Sequence, residues 1–328
     1  MQKKCLFLFL LSALMVLCAC HNEMPAPTEP AATLPPVTEP VPTETIPPET
    51  IMPFTGWAQI GGETVYLDAD IIHTGWLELE EGTYYLDADG RKTTGWVELD
   101  GRSFYFYDDG RAAQGKVTID ETVYYFSSKG EQILFVNRWN PLPREYAPEV
   151  VEAVDGCYMS VECAEALTAM LTDLENAVGT VGLLNGYRSY TKQYNAFYGT
   201  IEGMVQAGRS YSSAYSIVKD SLAIPGTSEH QLGLAVDVMN PNDLFYDKGE
   251  TEVILWLKEH CWDYGFIIRY PENKSHITGI IFEPWHYRYI GTEIALELKD
   301  SGLCLEEYLD RLTNDGTTCG DPASLLTE

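Results

Sequence analysis

The sequence predicts an α+β domain over residues 133–328, preceded by a solenoid-like array of β-hairpin repeats over residues 54–132. Three observations carry this. Gly-Trp pairs recur at spacings of 19 and 20 residues through the middle of the chain, apolar residues beyond Ile133 fall at helical spacing, and short apolar runs separate those helical stretches. Composition narrows function from the outset. With 49 acidic and 21 basic side chains the net charge is −28, leaving too few cations to coat a phosphate backbone, so nucleic acid is excluded as a partner. The eight cysteines include no Cys-x-x-Cys pair, which speaks against a structural zinc knuckle.

Lys3 and Lys4 precede an apolar run from Cys5 to Cys20. In helical form that run covers about 24 Å, short of a hydrocarbon core of roughly 30 Å, so it reads as an export signal rather than a spanning helix. It ends Leu17-Cys18-Ala19-Cys20, which resembles a bacterial lipobox. The resemblance implies a signal peptide over residues 1–19, lipidation of Cys20 and a protein held at the extracellular face of the bacterial cell membrane. Residues 20–53 are rich in Pro, Thr and Glu with few bulky side chains, a composition that cannot bury a core and that favours an extended tether.

In the repeats, Gly56-Trp57, Gly75-Trp76 and Gly95-Trp96 are continued by Gly115-Lys116. Each is followed by an aromatic strand, Val65-Tyr66-Leu67, Tyr84-Tyr85-Leu86, Phe104-Tyr105-Phe106 and Tyr124-Tyr125-Phe126, and then by an acidic turn such as Asp87-Ala88-Asp89-Gly90. A short hairpin with that period buries its rings only against its neighbours. The array resembles the choline-binding and glucan-binding cell-wall repeats of bacterial surface proteins. This implies adhesion to wall polysaccharide or to the choline of teichoic acid through Trp57, Trp76, Trp96, Tyr85 and Tyr105. Thr64, Thr83 and Ser103 stand where choline-binding repeats usually carry a further Trp, which leaves a cation cage incomplete. A structural spacer is the alternative. His73, in a turn of the array, is expected to be exposed.

Beyond Ile133, helical spacing predicts helices through Ala164–Val178, Tyr190–Val205 and Val253–Tyr264, strands at Val181–Leu184, Leu234–Val238 and Gly279–Phe282, and a terminal helix from Thr292 to Leu312. Two segments in this domain are chemically odd: Ser228-Glu229-His230-Gln231-Leu232-Gly233-Leu234-Ala235-Val236-Asp237 and Glu283-Pro284-Trp285-His286. His230, Asp237 and His286 offer two imidazoles and one carboxylate, the count that leaves a zinc ion open to water. Glu283 is spaced to take a proton from such a water, provided the chain bends at Pro284. Gly233 and Ala235 let the backbone pack closely beside the site. Taken singly, each residue also has a plain structural reading: a buried histidine with one hydrogen bond, a capping aspartate, a surface glutamate. The whole pattern decides.

Ser-x-His-x-x-Gly-x-Ala-x-Asp followed by Glu-x-Trp-His resembles the zinc D-alanyl-D-alanine carboxypeptidases of the VanY type. The likeness runs from about Phe135 to Tyr308 and includes Gly186-Tyr187-Arg188-Ser189-Tyr190 and Gln193. It implies a zinc D,D-peptidase-like fold with one Zn²⁺ per domain on His230, Asp237 and His286, and Glu283 as general base. It further implies that Arg188 meets the terminal carboxylate of a peptidoglycan stem peptide, with Ser228 and Gln193 lining the peptide groove. Arg188 also stands just before a helix start, where the dipole favours an anion. An L,D-carboxypeptidase shares these motifs, and a non-catalytic wall-binding lipoprotein is a further alternative. Ser189-x-x-Lys192 and Ser216-x-x-Lys219 match one element of the serine-type D,D-peptidases, but the Lys-Thr-Gly element is missing; Lys92-Thr93-Thr94-Gly95 falls one residue short. Cys157 and Cys163 are close enough in sequence for a short disulfide, and His260 and His276 lie in no motif.

Overall fold

Alternating apolar and polar positions fold residues 56–126 into four successive hairpins. In the computed structural model, which describes residues 52–239 and 250–312, these are β1 (Gly56–Ile60) with β2 (Glu63–Asp68), β4 (Gly75–Leu79) with β5 (Gly82–Leu86), β6 (Gly95–Leu99) with β7 (Arg102–Phe106), and β8 (Gly115–Ile119) with β9 (Thr122–Phe126). A short β3 (Ile71–Ile72) extends the first pair. Cys20, the export signal, most of the tether and Cys319 lie outside the described residues. No helix among the described residues is long and apolar enough to cross a membrane.

The register pairs Trp57 with Tyr66, Trp76 with Tyr85, Trp96 with Tyr105 and Lys116 with Tyr125. Each Trp then reaches forward: Trp57 packs edge-on against Tyr84, Trp76 against Phe104 and Trp96 against Tyr124. This is how a hairpin too small for its own core borrows one from the next. Trp76 and Trp96 remain 41% and 44% exposed, whereas the Lys92 ammonium lies 4.1 Å from the Trp57 ring centroid and 4.9 Å from that of Tyr84. The acidic turns are structural: Asp87 Oδ1 accepts from the backbone N–H of Asp89 and Arg91. His73 is half-buried rather than exposed, because its Nε2 bonds the carbonyl of Trp76 and its ring meets Tyr66.

The array runs into the α+β domain without a break. The Ile133 N–H donates to the Tyr125 carbonyl, and Tyr125 and Phe135 pack with Ile133 on a cluster formed by Ile294, Leu298, Leu305 and Leu309. The domain continues through β10 (Val150–Val154), β11 (Cys157–Ser160), α1 (Val161–Val178), β12 (Gly182–Asn185), α2 (Tyr190–Gln206), α3 (Tyr211–Ser221), β13 (Ala235–Met239), α4 (Glu252–His260), β14 (Phe266–Ile268), α5 (Ser275–Thr278), β15 (His286–Tyr289), α6 (Thr292–Ser301) and α7 (Leu305–Arg311). Its central sheet is antiparallel, in the order β12-β13-β15-β14. Val236, Val238 and Tyr287 point from one face into the main core with Leu167, Met170, Leu174, Val253 and Leu257. Strand alternation therefore turns Asp237, His286 and Arg288 to the opposite face.

Three expected elements differ. Gly279–Phe282 is not a strand: Gly279, at φ +78°, ends α5, and the Ile281 N–H bonds the Asp220 carbonyl instead of a sheet neighbour. The strand begins only at His286. The tail is two helices, broken where Gly302 takes a left-handed φ of 65°. The helix predicted over Val253–Tyr264 turns 3-10 at Cys261. His260 ends α4 against Trp256, and His276 belongs to the short α5. Cys157, Cys163, Cys261 and Cys304 are buried free thiols, so no bridge joins Cys157 to Cys163.

Candidate metal centre

Asn185, Asp237 and His286 are register partners across β12, β13 and β15, which places three polar side chains side by side. His230 enters from a 3-10 turn over Glu229–Leu232 that Gly233 closes at φ +73°; a Cβ there would sit 3.0 Å from the Ser160 nitrogen. His230, Asp237 and His286 are all buried, and each offers one ligand atom within 4.8 Å of the others. His230 Nε2 lies 3.3 Å from Asp237 Oδ2, and His286 Nδ1 lies 3.1 Å from Asp237 Oδ1.

The remaining ring nitrogens face polar groups behind them. His230 Nδ1 bonds the Gly186 carbonyl at 2.8 Å, which leaves Nε2 facing inward. Gly186 is required there, because a Cβ would collide with the Tyr158 carbonyl oxygen and fall 2.7 Å from Cys157 Sγ. His286 Nε2 faces Glu229 Oε2 at 3.7 Å. Asn185 Nδ2 donates to Asp237 Oδ2 at 3.1 Å. Two imidazole nitrogens and a carboxylate, with polar groups behind them, fit a zinc ion with positions left for water and substrate.

Glu283 stands just ahead of β15 in a tight turn, with the His286 N–H donating to its carbonyl at 3.2 Å. Pro284 occupies the bend. The turn brings Glu283 Oε2 to 3.8 Å from His286 Nδ1, although simple strand alternation would have separated them. Burial pushes the Glu283 carboxyl up to about 7, with His286 opposing and Asp237 assisting. Burial acts against a charged His286, yet its bond to Asp237 and the nearby Glu229 carboxylate outweigh that and carry it up to about 9. Burial lowers His230. For Asp237, burial is overcome by His230 and His286, which hold the carboxyl well below its usual range.

These groups line a cavity of about 220 Å³ together with Arg188, Gln193, Ser228, Tyr270 and Trp285. Arg188 Nη2 lies 3.6 Å from Asp237 Oδ2, and Nη1 donates to Gln193 Oε1 at 2.8 Å. Gln193 in turn donates to the Ala223 carbonyl, so both ends of its amide are engaged and it braces Arg188 from the cavity wall. Ser189 caps α2 through the Lys192 N–H, which accounts for the Ser-x-x-Lys spacing without chemistry. Asn185, Gly186, Glu229 and Tyr270 had no individual role in the sequence. Glu229 and Gly186 lay inside quoted motifs, but what they touch depends on tertiary contact.

Residues 156–292 match the D-alanyl-D-alanine carboxypeptidase family (VanY), residues 93–139 a choline-binding repeat and residues 74–92 a putative cell wall binding repeat. Over 179 residues the chain is 38% identical to a D-alanyl-D-alanine carboxypeptidase of Enterococcus faecalis, covering 54% of this chain and 65% of that one. Over 196 residues it is 34% identical to the putative carboxypeptidase YodJ of Bacillus subtilis, covering 56% and 68%. The chain thus spans about two thirds of the length of these two curated relatives. A solved mutant of the vancomycin-resistance D,D-pentapeptidase VanY from a VanB-type cassette, in complex with Zn(II), shares 36% identity, with a TM-score of 0.49 over 54% of this chain and 97% of that one.

Proposed function

Because the chain belongs to the VanY D-alanyl-D-alanine carboxypeptidase family, we propose that residues 133–328 form a zinc carboxypeptidase that removes the C-terminal D-alanine from peptidoglycan stem peptides. The observation that carries this reading is the convergence of His230, Asp237 and His286 in a cavity that also holds Glu283 and Arg188. His230, Asp237 and His286 would hold the ion, which when bound supplies Lewis-acid polarisation of the scissile carbonyl and acidifies a water. Glu283 takes a proton from the attacking water and delivers it to the leaving amine nitrogen, which departs as D-alanine. The Arg188 guanidinium, braced by Gln193, receives the terminal carboxylate in paired hydrogen bonds and so selects a chain end. Ser228, buried on the cavity wall, borders the same groove. Purified protein incubated with pentapeptide and tetrapeptide muropeptides tests this: D-alanine should be released from pentapeptides, stop with a chelator and resume on adding zinc. Release from tetrapeptides alone would make the enzyme an L,D-carboxypeptidase, and release indifferent to chelator but blocked by a β-lactam would restore the serine mechanism.

We infer further that residues 1–19 are a signal peptide, that Cys20 carries the lipid anchor, that residues 20–53 are the tether and that residues 54–132 adhere to the wall. The exposed faces of Trp76 and Trp96, backed by Tyr85 and Tyr105, support adhesion there. Trp57 already carries Lys92. An unlipidated N-terminus by mass spectrometry would remove the anchor. Retention of residues 54–132 on wall preparations, with or without free choline, separates glycan from choline binding.

A further inference from the structure

We propose that Glu229 is the positioning residue for His286, itself held in direction by Arg269 and Arg288. The inference rests on the reading of His286 as a metal ligand. To ligate through Nδ1, the imidazole must carry its proton on Nε2. That nitrogen is buried with no hydrogen-bond partner, and so is Glu229 Oε2, 3.7 Å away. Two orphaned polar atoms facing each other inside a protein mark a donor and an acceptor a few tenths of an ångström from a bond.

The other Glu229 oxygen leaves no choice of direction. Oε1 accepts from Arg269 Nε at 2.7 Å and from Arg288 Nη1 at 2.9 Å. Both guanidiniums are fully buried and tied elsewhere: Arg269 to both oxygens of Glu306, Arg288 to the carbonyls of Leu134 and Tyr289. With Oε1 pinned, Oε2 can only face His286. Arg288 stands two residues beyond His286 on β15, so the two share a face of the strand. Glu306 lies on α7, past the end of the family match at residue 292. The outer support of Arg269 therefore reaches into the C-terminal helix, one step removed from Glu229.

Glu229→Gln separates positioning from mere support. Its carbonyl oxygen would turn toward the two arginines, which only donate, and its amide would then present N–H to His286, disfavouring the tautomer that ligates through Nδ1. Zinc affinity by chelator competition should fall 10- to 100-fold, the loss typical of a group behind a ligand. Glu306→Gln also breaks a buried ion pair but leaves His286 untouched. It should lower the thermal midpoint while zinc affinity stays within about threefold of the parent. Equal loss of zinc affinity in both variants would overturn the positioning role, as would unchanged affinity in Glu229→Gln. Should Glu229→Gln fail to fold, long-range ¹H–¹⁵N spectra of the zinc-loaded parent still decide. They should show His286 protonated at Nε2 with slow exchange, and a proton on Nδ1 would refute the proposal. A parent chain that binds no zinc would remove the metal reading itself.

Discussion

Asp237 and His286 face each other across adjacent antiparallel strands, register partners whose Oδ1 and Nδ1 atoms stand 3.1 Å apart. The core residues Val236, Val238 and Tyr287 on the opposite face lock that register, since a slip of one residue would turn both polar side chains into the core. Asp237→Asn keeps the volume and removes the charge that the two imidazoles share. Zinc retained after dialysis should fall from one per chain to a small fraction, and full retention would exclude Asp237 as a ligand.

Glu283→Gln should retain zinc and lose turnover by at least ~100-fold, the scale of general acid–base catalysis. The loss belongs in kcat rather than KM, because Arg188 still anchors the substrate. Measuring both constants beside zinc content checks this.

The metal-free protein should weaken as pH rises. Glu283 and His286 hold protons more tightly in the folded state, about 7 against 4.5 and about 9 against 6.5. The folded chain binds more protons across that window, so their contribution is full below about pH 4.5 and is lost as pH climbs through 7 and then 9. The effect is on the order of 3 kcal/mol per group. Asp237 and Glu229 are held well below their usual range and stay constant over the same interval, while His230, lowered by burial, opposes the trend only up to its ordinary value of 6.5. Thermal midpoints in chelator should therefore drop between pH 6 and pH 9, and Glu283→Gln should flatten the lower part of the decline.

Arg188→Lys replaces a forked donor by a point charge and loses the Gln193 brace. We expect kcat/KM to fall roughly 100-fold on free-acid peptides, the cost of two charge-assisted hydrogen bonds. Peptides with an amidated C-terminus should be poor substrates for the parent and change little in the variant.

Gly186→Ala places a methyl against the Tyr158 carbonyl and Cys157 sulfur, pushing away the carbonyl that fixes His230. Both stability and zinc affinity should decline. A variant with normal zinc affinity would mean that His230 needs no brace at Nδ1.

The convergence of His230, Asp237 and His286 was legible in the sequence because metal chemistry tolerates few residue types and the proposed ligand set demands their spacing. The strand bearing His286 was not legible. His286-Tyr287-Arg288-Tyr289 looks like surface, and only the partners of Arg288 make its burial affordable, whereas apolar Gly279–Phe282 looks like core strand but lies against the end of α3. Hydrophobic pattern alone does not separate an apolar loop from a strand. The broken terminal helix was readable in principle from Gly302. Asn185 and Glu229 were not, since their partners lie 52 and 57 positions away in the chain.

The last hairpin and the catalytic domain share a core through Tyr125, Ile133 and Phe135, and Lys129 and Lys116 reach across to Glu293 and Asp310. The repeats are thus an outrigger and not a leash. Whatever surface they grip, the mouth of the cleft meets it at one set pitch. Stem peptides on an intact sacculus would then be cut in a fixed orientation, a geometric filter that short soluble peptides never encounter.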